Sequence, residues 1–527
     1  MIVIKNLSYD SPQGDRLFED MSVSFPDKKT GLVGKNGTGK TTLLRLIVGE
    51  LQPAGGDMER TTDIAYMPQD YRLDLSQNIS QVLGIDKKLE AIKKIKDGDE
   101  DERLLAGIGD DWDIEDRARV AMGKMDLEEM DLMRIVATLS GGERIKVLLA
   151  NLLLEDAGFL IIDEPTNNLD AEAKEAVYAL IRTWRKGLLV VSHDRELLDL
   201  MDEIAELSRG GIKTYGGNYE AYIAQKRAEE EALERQLVSA RQELRKDKKE
   251  AIAVRERQQK RNSHGKKAVV GQKINKGKIN EMISQANATT GRLKIRHEQK
   301  VRDAQNKFED LRSRIPETNR IFIELPDSRI PNGKSVAEFE NVSFSYAPDK
   351  PLLLDINFAI AGPERIALTG RNGSGKTTLI RLLLGELRPL SGEVRLGVTR
   401  LAYLDQHVAF MDNNKTLLDN LKTISGLGDS DGRNYLAKFL FESDAVFKDF
   451  GALSGGERIR AALASALAQK ETPQLLILDE PTNNLDLDSI ERLESALANF
   501  EGALLVISHD KTFLENIGIG REIRLGK

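Results

Sequence analysis

The amino-acid sequence predicts an α/β protein in which two copies of one phosphate-binding domain flank an α-helical antiparallel coiled-coil hairpin. Three observations lead there. A strand-like run, a glycine-rich loop and a helix pattern follow one another at residues 30–48, and the loop and the motifs behind it return in the same order in the C-terminal part. Equivalent motifs lie 336, 314 and 316 residues apart, a domain-sized repeat and not the period of a solenoid. Between the copies, apolar residues recur at spacings of three, four and seven, the seam of long paired helices. The expected boundaries are 1–218 for the first copy, 219–335 for the linker and 336–527 for the second.

In the first copy, the alternating residues 2–7 and the runs at 21–25 and 30–33 read as strands. The third opens into Gly34, Lys35, Asn36, Gly37, Thr38, Gly39, Lys40, Thr41 and Thr42, and an apolar helix follows that Gly49 ends. In such a loop the glycines let backbone N–H groups turn inward on a phosphate, Lys40 supplies charge to the β- and γ-phosphates, and the Thr41 hydroxyl suits Mg2+. Gln69 follows a short apolar run, a helical region spans about 79–133, and Ser140, Gly141, Gly142 and Glu143 open another helix. An apolar strand at 159–162 runs straight into Asp163 and Glu164, and a last one at 187–191 ends just before His193. These side chains stand at the C-terminal ends of strands, where open parallel sheets bind ligands.

The second copy repeats the series. Its loop is Gly370, Arg371, Asn372, Gly373, Ser374, Gly375, Lys376, Thr377 and Thr378, followed by Gln406, by Ser454, Gly455, Gly456 and Glu457, by Asp479 and Glu480, and by His509. The fall in offset from 336 to 314 places 22 extra residues in the first copy, between its phosphate loop and its Ser-Gly-Gly motif.

The linker carries one seam at Leu233, Leu237, Ala240, Leu244, Ala251 and Val254 and another at Val301, Ala304, Phe308, Leu311 and Ile315. Residues 222–256 as one helix make a rod of roughly 50 Å, and the polar, glycine-containing piece at 261–277 reads as its tip. The chain has a net charge of −8, yet residues 255–302 hold 14 Lys or Arg against three acids, a local +11 that leaves −19 on the remainder. Ordinary exposed helices mix signs, so this concentration points to nucleic acid or another polyanion. The candidate contacts are Arg255, Arg257, Lys260, Arg261, Lys266, Lys267, Lys273, Lys276, Lys278 and Arg292.

The absence of cysteine excludes disulfides, thiol catalysis and cysteine-ligated zinc or iron–sulfur clusters. There is no run of 18 apolar residues, and the N-terminus alternates like a strand and lacks the regions of a signal peptide. The expectation is a cytoplasmic protein without an integral membrane segment. Trp112 and Trp184 read as packing residues, and residues 97–102 as an exposed turn.

Together these motifs resemble the P-loop NTPases called ATP-binding cassette ATPases. With two cassettes, a charged helical linker and no membrane part, the chain is similar to their soluble ABC-F class over nearly its whole length. The resemblance implies an ATPase that uses ATP and Mg2+, a monomer whose two cassettes pair within the chain, and sites that join the phosphate loop of one half to the Ser-Gly-Gly-Glu motif of the other. Site one would be residues 34–42 with Gln69, Asp163, Glu164 and His193, facing Ser454; site two would be residues 370–378 with Gln406, Asp479, Glu480 and His509, facing Ser140. By the same resemblance Asp163 and Asp479 take the metal with Thr41, Thr377, Gln69 and Gln406, Glu164 and Glu480 are the bases, and His193 and His509 contact the γ-phosphate. Tyr346 would stack on adenine in the second half, where the first half has Ser11 with Tyr9 nearby, and Asn168 and Asn484 stand where the class commonly has His.

The implied partner is the ribosome, with the hairpin reaching rRNA and P-site tRNA near the peptidyl transferase centre, in stall relief or in antibiotic resistance. Two other readings stay open: the ATP-binding subunit of a membrane transporter, which gives the basic hairpin no task, and a DNA-handling ATPase, which the missing C-terminal DNA-binding extension disfavours.

Overall fold

Five-residue runs that are apolar almost throughout form strands covered on both faces. Four of them, Phe159–Asp163, Gly187–Val191, Leu475–Asp479 and Ala503–Ile507, are buried at every position. The computed structural model describes residues 1–269, 295–313 and 328–526, apart from 13, 70, 72, 100, 348, 349, 407 and 442. It divides into one unit holding Met1–Glu220 and Arg320–Lys527 and a second holding Ala221–Asn319.

The first half contains β1 (Ile2–Asp10), β2 (Arg16–Phe25), β3 (Lys29–Val33), β4 (Gly55–Arg60), β5 (Ile64–Met67), β6 (Phe159–Asp163), β7 (Gly187–Val191), β8 (Glu203–Ser208) and β9 (Gly211–Gly216). The second contains β10 (Ser335–Phe344), β11 (Leu353–Ala361), β12 (Arg365–Gly370), β13 (Ser391–Leu396), β14 (Leu401–Leu404), β15 (Leu475–Asp479), β16 (Ala503–Ile507) and β17 (Arg521–Leu525). Their main sheets run β5-β6-β7-β3-β8-β9 and β14-β15-β16-β12-β17, parallel except at the β8–β9 hairpin. Each half also has a three-stranded antiparallel sheet, β2-β1-β4 or β11-β10-β13. The parallel register positions the site. Asp163 pairs with Val191, which pairs with Leu32, so the ends of β6, β7 and β3 lie level and bring the Asp-Glu pair, the His turn and the phosphate loop to one sheet edge. In the second half Asp479 pairs with Ile507, one residue beyond the Val506–Ala367 pair.

The 22 extra residues have a location. The first half places helices Asp86–Lys96, Glu102–Ile108 and Ile114–Gly123 where the second has Leu417–Ser425 and Asp429–Lys438. Trp184 is buried, with its ring N–H donating to the Gly187 carbonyl at 3.1 Å. The packing assignment fails for Trp112, which is 50% exposed. It sits in the turn between two of the extra helices, where no second layer covers it.

The other unit is entered along one helix over Tyr219–Val269, 51 residues and roughly 75 Å, whose first two residues still belong to the first unit. The expected tip at 261–277 is therefore corrected at its start, because the helix continues through Gly265. A single interior glycine costs a helix only about 1 kcal/mol. A second helix covers 295–313, and the apolar spacing matches burial: Ala240, Ala304 and Leu311 are buried, with Leu233, Leu237, Leu244, Val301 and Phe308 half-buried. Lys307 pairs with Glu243 across the two arms at 3.0 Å. Arg257 and Lys260 are exposed on the first arm. Arg255, Arg261, Lys266 and Lys267 are described there by backbone only, and Lys273, Lys276, Lys278, Arg292 and Ile315 lie outside the described residues. Among the described residues no helix is long and apolar enough to cross a membrane.

Candidate active site

Each phosphate loop begins on a glycine that no other residue could replace without strain. Gly34 (φ 156°) and Gly370 (φ 145°) have positive φ, and a Cβ there would run into the carbonyl of Leu207 or Leu525 in the neighbouring strand. Gly39 (φ 94°) and Gly375 (φ 96°) cap helices Lys40–Val48 and Lys376–Leu383 in the left-handed conformation, which leaves the first N–H groups of each helix facing the loop. Lys40 Nζ donates to Gly34 O at 2.7 Å and Lys35 O at 3.3 Å, and Lys376 Nζ to Gly370 O at 2.6 Å and Arg371 O at 3.3 Å. Both ammonium groups are thus buried and held over their own loops.

The carboxylates meet them at the sheet edge. Glu164 and Glu480 both have φ 48°, a left-handed geometry that costs a non-glycine residue of order 1 kcal/mol or more. It turns each glutamate away from the aspartate before it and towards the histidine. His193 Nε2 lies 3.3 Å from Glu164 Oε1, and His509 Nε2 lies 3.5 Å from Glu480 Oε1. Burial pushes Glu164 up and Glu480 up to about 7, opposed by Lys40 and Lys376 and reinforced by the adjacent aspartates. Burial and the same lysines push His193 down to about 3 and His509 to about 4, so both imidazoles are neutral at physiological pH. Asp163 and Asp479 are raised, chiefly by desolvation.

The aspartates fit a divalent cation. Thr377 Oγ1 donates to Asp479 at 3.0 Å, and Tyr403 donates to the same oxygen at 3.3 Å. Both buried oxygens of Asp163 lack a hydrogen-bond partner, with the Thr41 hydroxyl close enough to offset only part of the cost. Hard oxygen donors with spare lone pairs beside a threonine hydroxyl are the set Mg2+ takes.

The contacts between the halves come from an unexpected segment. Asp486 Oδ2 accepts from Asn36 N at 2.9 Å while its other oxygen caps helix Leu487–Ala498 through Ser489 N at 2.9 Å. In the mirror position Asp170 accepts from Asn372 N at 3.1 Å and caps helix Ala171–Thr183 through Ala173 N at 3.1 Å. Asn36 and Asn372 amides also donate to Asn484 O at 3.0 Å and Asn168 O at 3.1 Å. Asn168 (φ 59°) and Asn484 (φ 60°) hold the left-handed turn that exposes those carbonyls, a conformation Asn tolerates well. Ion pairs Lys35–Asp488 at 3.5 Å, Arg371–Glu172 at 2.5 Å and the buried Arg195–Glu494 at 2.6 Å complete the junction.

Several sequence expectations change here. Ser140 and Ser454 open helices as expected, and Glu143 and Glu457 complete capping boxes, their carboxylates accepting from the backbone N–H of Ser140 at 2.7 Å and Ser454 at 2.9 Å. Gly456 packs so tightly on Ser489 that a Cβ would clash, and Gly455 approaches Asn484 O. The Ser-Gly-Gly turn of the second half therefore rests on the segment that touches the opposite phosphate loop. Gln69 and Gln406 are exposed, and no hydrogen bond among the described residues joins them to the loops or aspartates. Tyr346 is exposed beside the second loop, its hydroxyl 3.2 Å from Thr378 Oγ1. Ser11 accepts from Asp15 N in its own turn. Asp170, Asp486, Arg195 and Glu494 were missed. The Leu-Asp that closes each Asp-Glu motif, directly before a helix, is the signal that could have marked the first two.

The family model for "ABC transporter" matches residues 18–167 and 353–483. The chain is 32% identical over 545 residues to the energy-dependent translational throttle protein EttA of Escherichia coli, covering 96% of this chain and 89% of that one. It is 30% identical to ABC transporter F family member 5 of Arabidopsis thaliana, covering 93% and 70%. Among solved structures it resembles the RNase-L Inhibitor, with a TM-score of 0.56 and 20% identity over 99% of this chain and 88% of the other, a likeness of fold.

Proposed function

The chain belongs to the ABC-F family of tandem-cassette ATPases, and on that premise we propose that it is a cytoplasmic, ribosome-binding member whose ATP-driven cassette pairing controls the hairpin. The observation that carries the ATP part is the reciprocal junction in which each phosphate loop is hydrogen-bonded to the Asp that closes the other half's Asp-Glu motif. Lys40 and Lys376 leave their loop carbonyls for the β- and γ-phosphates. Glu164 and Glu480 accept the proton of the attacking water, each oriented by its neutral histidine, and His193 and His509 sense the γ-phosphate. Mg2+, held by Asp163 with Thr41 and Asp479 with Thr377, would neutralise charge between the phosphates. The Ser-Gly-Gly turns aim helix N-termini at the opposite ATP, and Tyr346 offers its ring to adenine.

For the partner, the supporting features are the local +11 over residues 255–302 and the likeness to a translational throttle protein across 96% of the chain. A cationic helical tip suits A-form RNA, which is recognised through phosphates and shape. The hairpin at 219–335 would then act near P-site tRNA and the peptidyl transferase centre, in stall relief or antibiotic resistance. The test is co-sedimentation of the Glu164→Gln/Glu480→Gln protein with purified ribosomes in ATP. Retention that weakens with salt is expected. Binding to duplex DNA or membranes with no retention on ribosomes would overturn the reading.

A further inference from the structure

The two ATP sites share every motif residue, but not their surroundings. Helix Ala171–Thr183 begins after Asp170, which is hydrogen-bonded to the second phosphate loop at Asn372 N, so its first turn lies at site two. Lys174 stands on that turn. Its side chain is 15% exposed, and its ammonium pairs with Asp194 Oδ2 at 3.2 Å. Asp194 is itself fixed, accepting from the Tyr178 hydroxyl at 2.7 Å and from Leu197 N at 3.2 Å. From that turn, whose cap Asp170 is bonded to the second phosphate loop, Lys174 faces the other half, where its charge opposes that of Asp170 at His509 and bears also on Glu480 and Asp510.

Site one has no counterpart. At the 316-residue offset of the Asp-Glu motif, the position equivalent to Lys174 is Ile490, which is buried in the second-half core. The lysine acting on Glu164 and His193 is their own Lys40, and what reaches His193 from the other half is the negative charge of Asp486, as that of Asp170 reaches His509, with no cation of that other half beside it.

We propose that Lys174 is a positioning residue acting across the junction, which adds a positive charge to site two and makes the two ATP sites non-equivalent, with site two binding ATP the more tightly. Its ammonium is anchored by Asp194 and so is already in place when ATP arrives. The Asp194 carboxylate offsets part of this charge, but the ammonium end of the pair is the end that acts on Glu480 and His509, and it favours a tetra-anionic ligand in a partly buried site.

The inference rests on the proposed ATP sites, and its test keeps the two apart. ATP binding is titrated at equilibrium on the full chain carrying Glu164→Gln and Glu480→Gln. If that protein still hydrolyses ATP at the wild-type rate, the catalytic assignment fails whatever Lys174 does. Otherwise two affinity classes about ten-fold apart are expected, the tighter removed by Lys376→Ala and the weaker by Lys40→Ala. Adding Lys174→Met should weaken only the tighter class, by about ten-fold, and Lys174→Arg should retain most of it. A purely structural role would lower both affinities together. Equal weakening at both sites, no weakening at either, or a single class in the parent protein would overturn the proposal. Lys174→Met leaves the buried Asp194 carboxylate without its ion pair and should melt lower, so binding is read well below its melting temperature, while Lys174→Arg, which keeps the pair, should melt within a few degrees of its parent.

Discussion

In site two the carboxylate of Asp479 accepts from Thr377 and Tyr403, and in a second group Lys376 Nζ lies 3.2 Å from His509 Nε2. In site one both oxygens of Asp163, Glu164 Oε2 and His193 Nδ1 are buried without partners. Buried polar groups left unpaired cost about 1–3 kcal/mol each. Asp479 is therefore held by side chains of its own half, whereas site one holds the larger polar deficit, Ser374 Oγ being the unpartnered buried atom of the site-two loop. Identical motifs do not make identical sites, because the groups that satisfy them come from elsewhere in the fold.

Four experiments would break or sharpen that contrast. The largest effect is expected from Glu164→Gln with Glu480→Gln, which should lower steady-state ATP turnover by about 100-fold or more. Of the single variants, Glu480→Gln should cost more, and the reverse ranking would break the contrast. Next come the equivalent positions Arg195 and Lys511. Arg195 and Glu494 are 8% and 11% exposed, and removing the arginine alone strands a buried carboxylate, so Arg195→Ala should destabilise the protein by about 3–5 kcal/mol in urea unfolding. Lys511, 70% exposed and 3.4 Å from Glu196, should tolerate Ala within about 0.5 kcal/mol.

A smaller difference separates Asp163→Asn from Asp479→Asn without nucleotide. The first removes an unpaired buried charge and should leave the melting temperature unchanged or raised. The second weakens two hydrogen bonds to a charged group and should lower stability by about 1–3 kcal/mol. Both should lose the extra stabilisation that Mg2+ and ATP confer on the hydrolysis-deficient protein, read by melting with and without EDTA. Smallest are the caps. Ser140→Ala and Ser454→Ala should each cost about 1 kcal/mol, and a far larger loss would mean that the serines carry more than helix initiation.

The repeat, the phosphate loops, the Asp-Glu pairs and the histidines were legible in the sequence because their chemistry demands particular residues at short, fixed spacing. The hairpin seam was legible for a similar reason, since burial of Ala240, Ala304 and Leu311 follows directly from helical periodicity. The cross-half contacts were not. Asp170 and Asp486 look like ordinary helix caps, and a cap uses only one carboxylate oxygen. The capping boxes that Glu143 and Glu457 form with Ser140 and Ser454 follow from the Ser-x-x-Glu spacing, a local signal.

By itself the sequence determined which groups would gather at each sheet edge, since strand ends in parallel register deliver them there. Only the tertiary structure decided that Asp486 and Asp170 meet the other half's phosphate loop, that Arg195 meets Glu494 across 299 residues, and that Lys174 pairs with Asp194 while Ile490 faces a core. These depend on how two surfaces meet. No local spacing encodes that meeting, because its free energy comes from pairing groups that are distant in the chain.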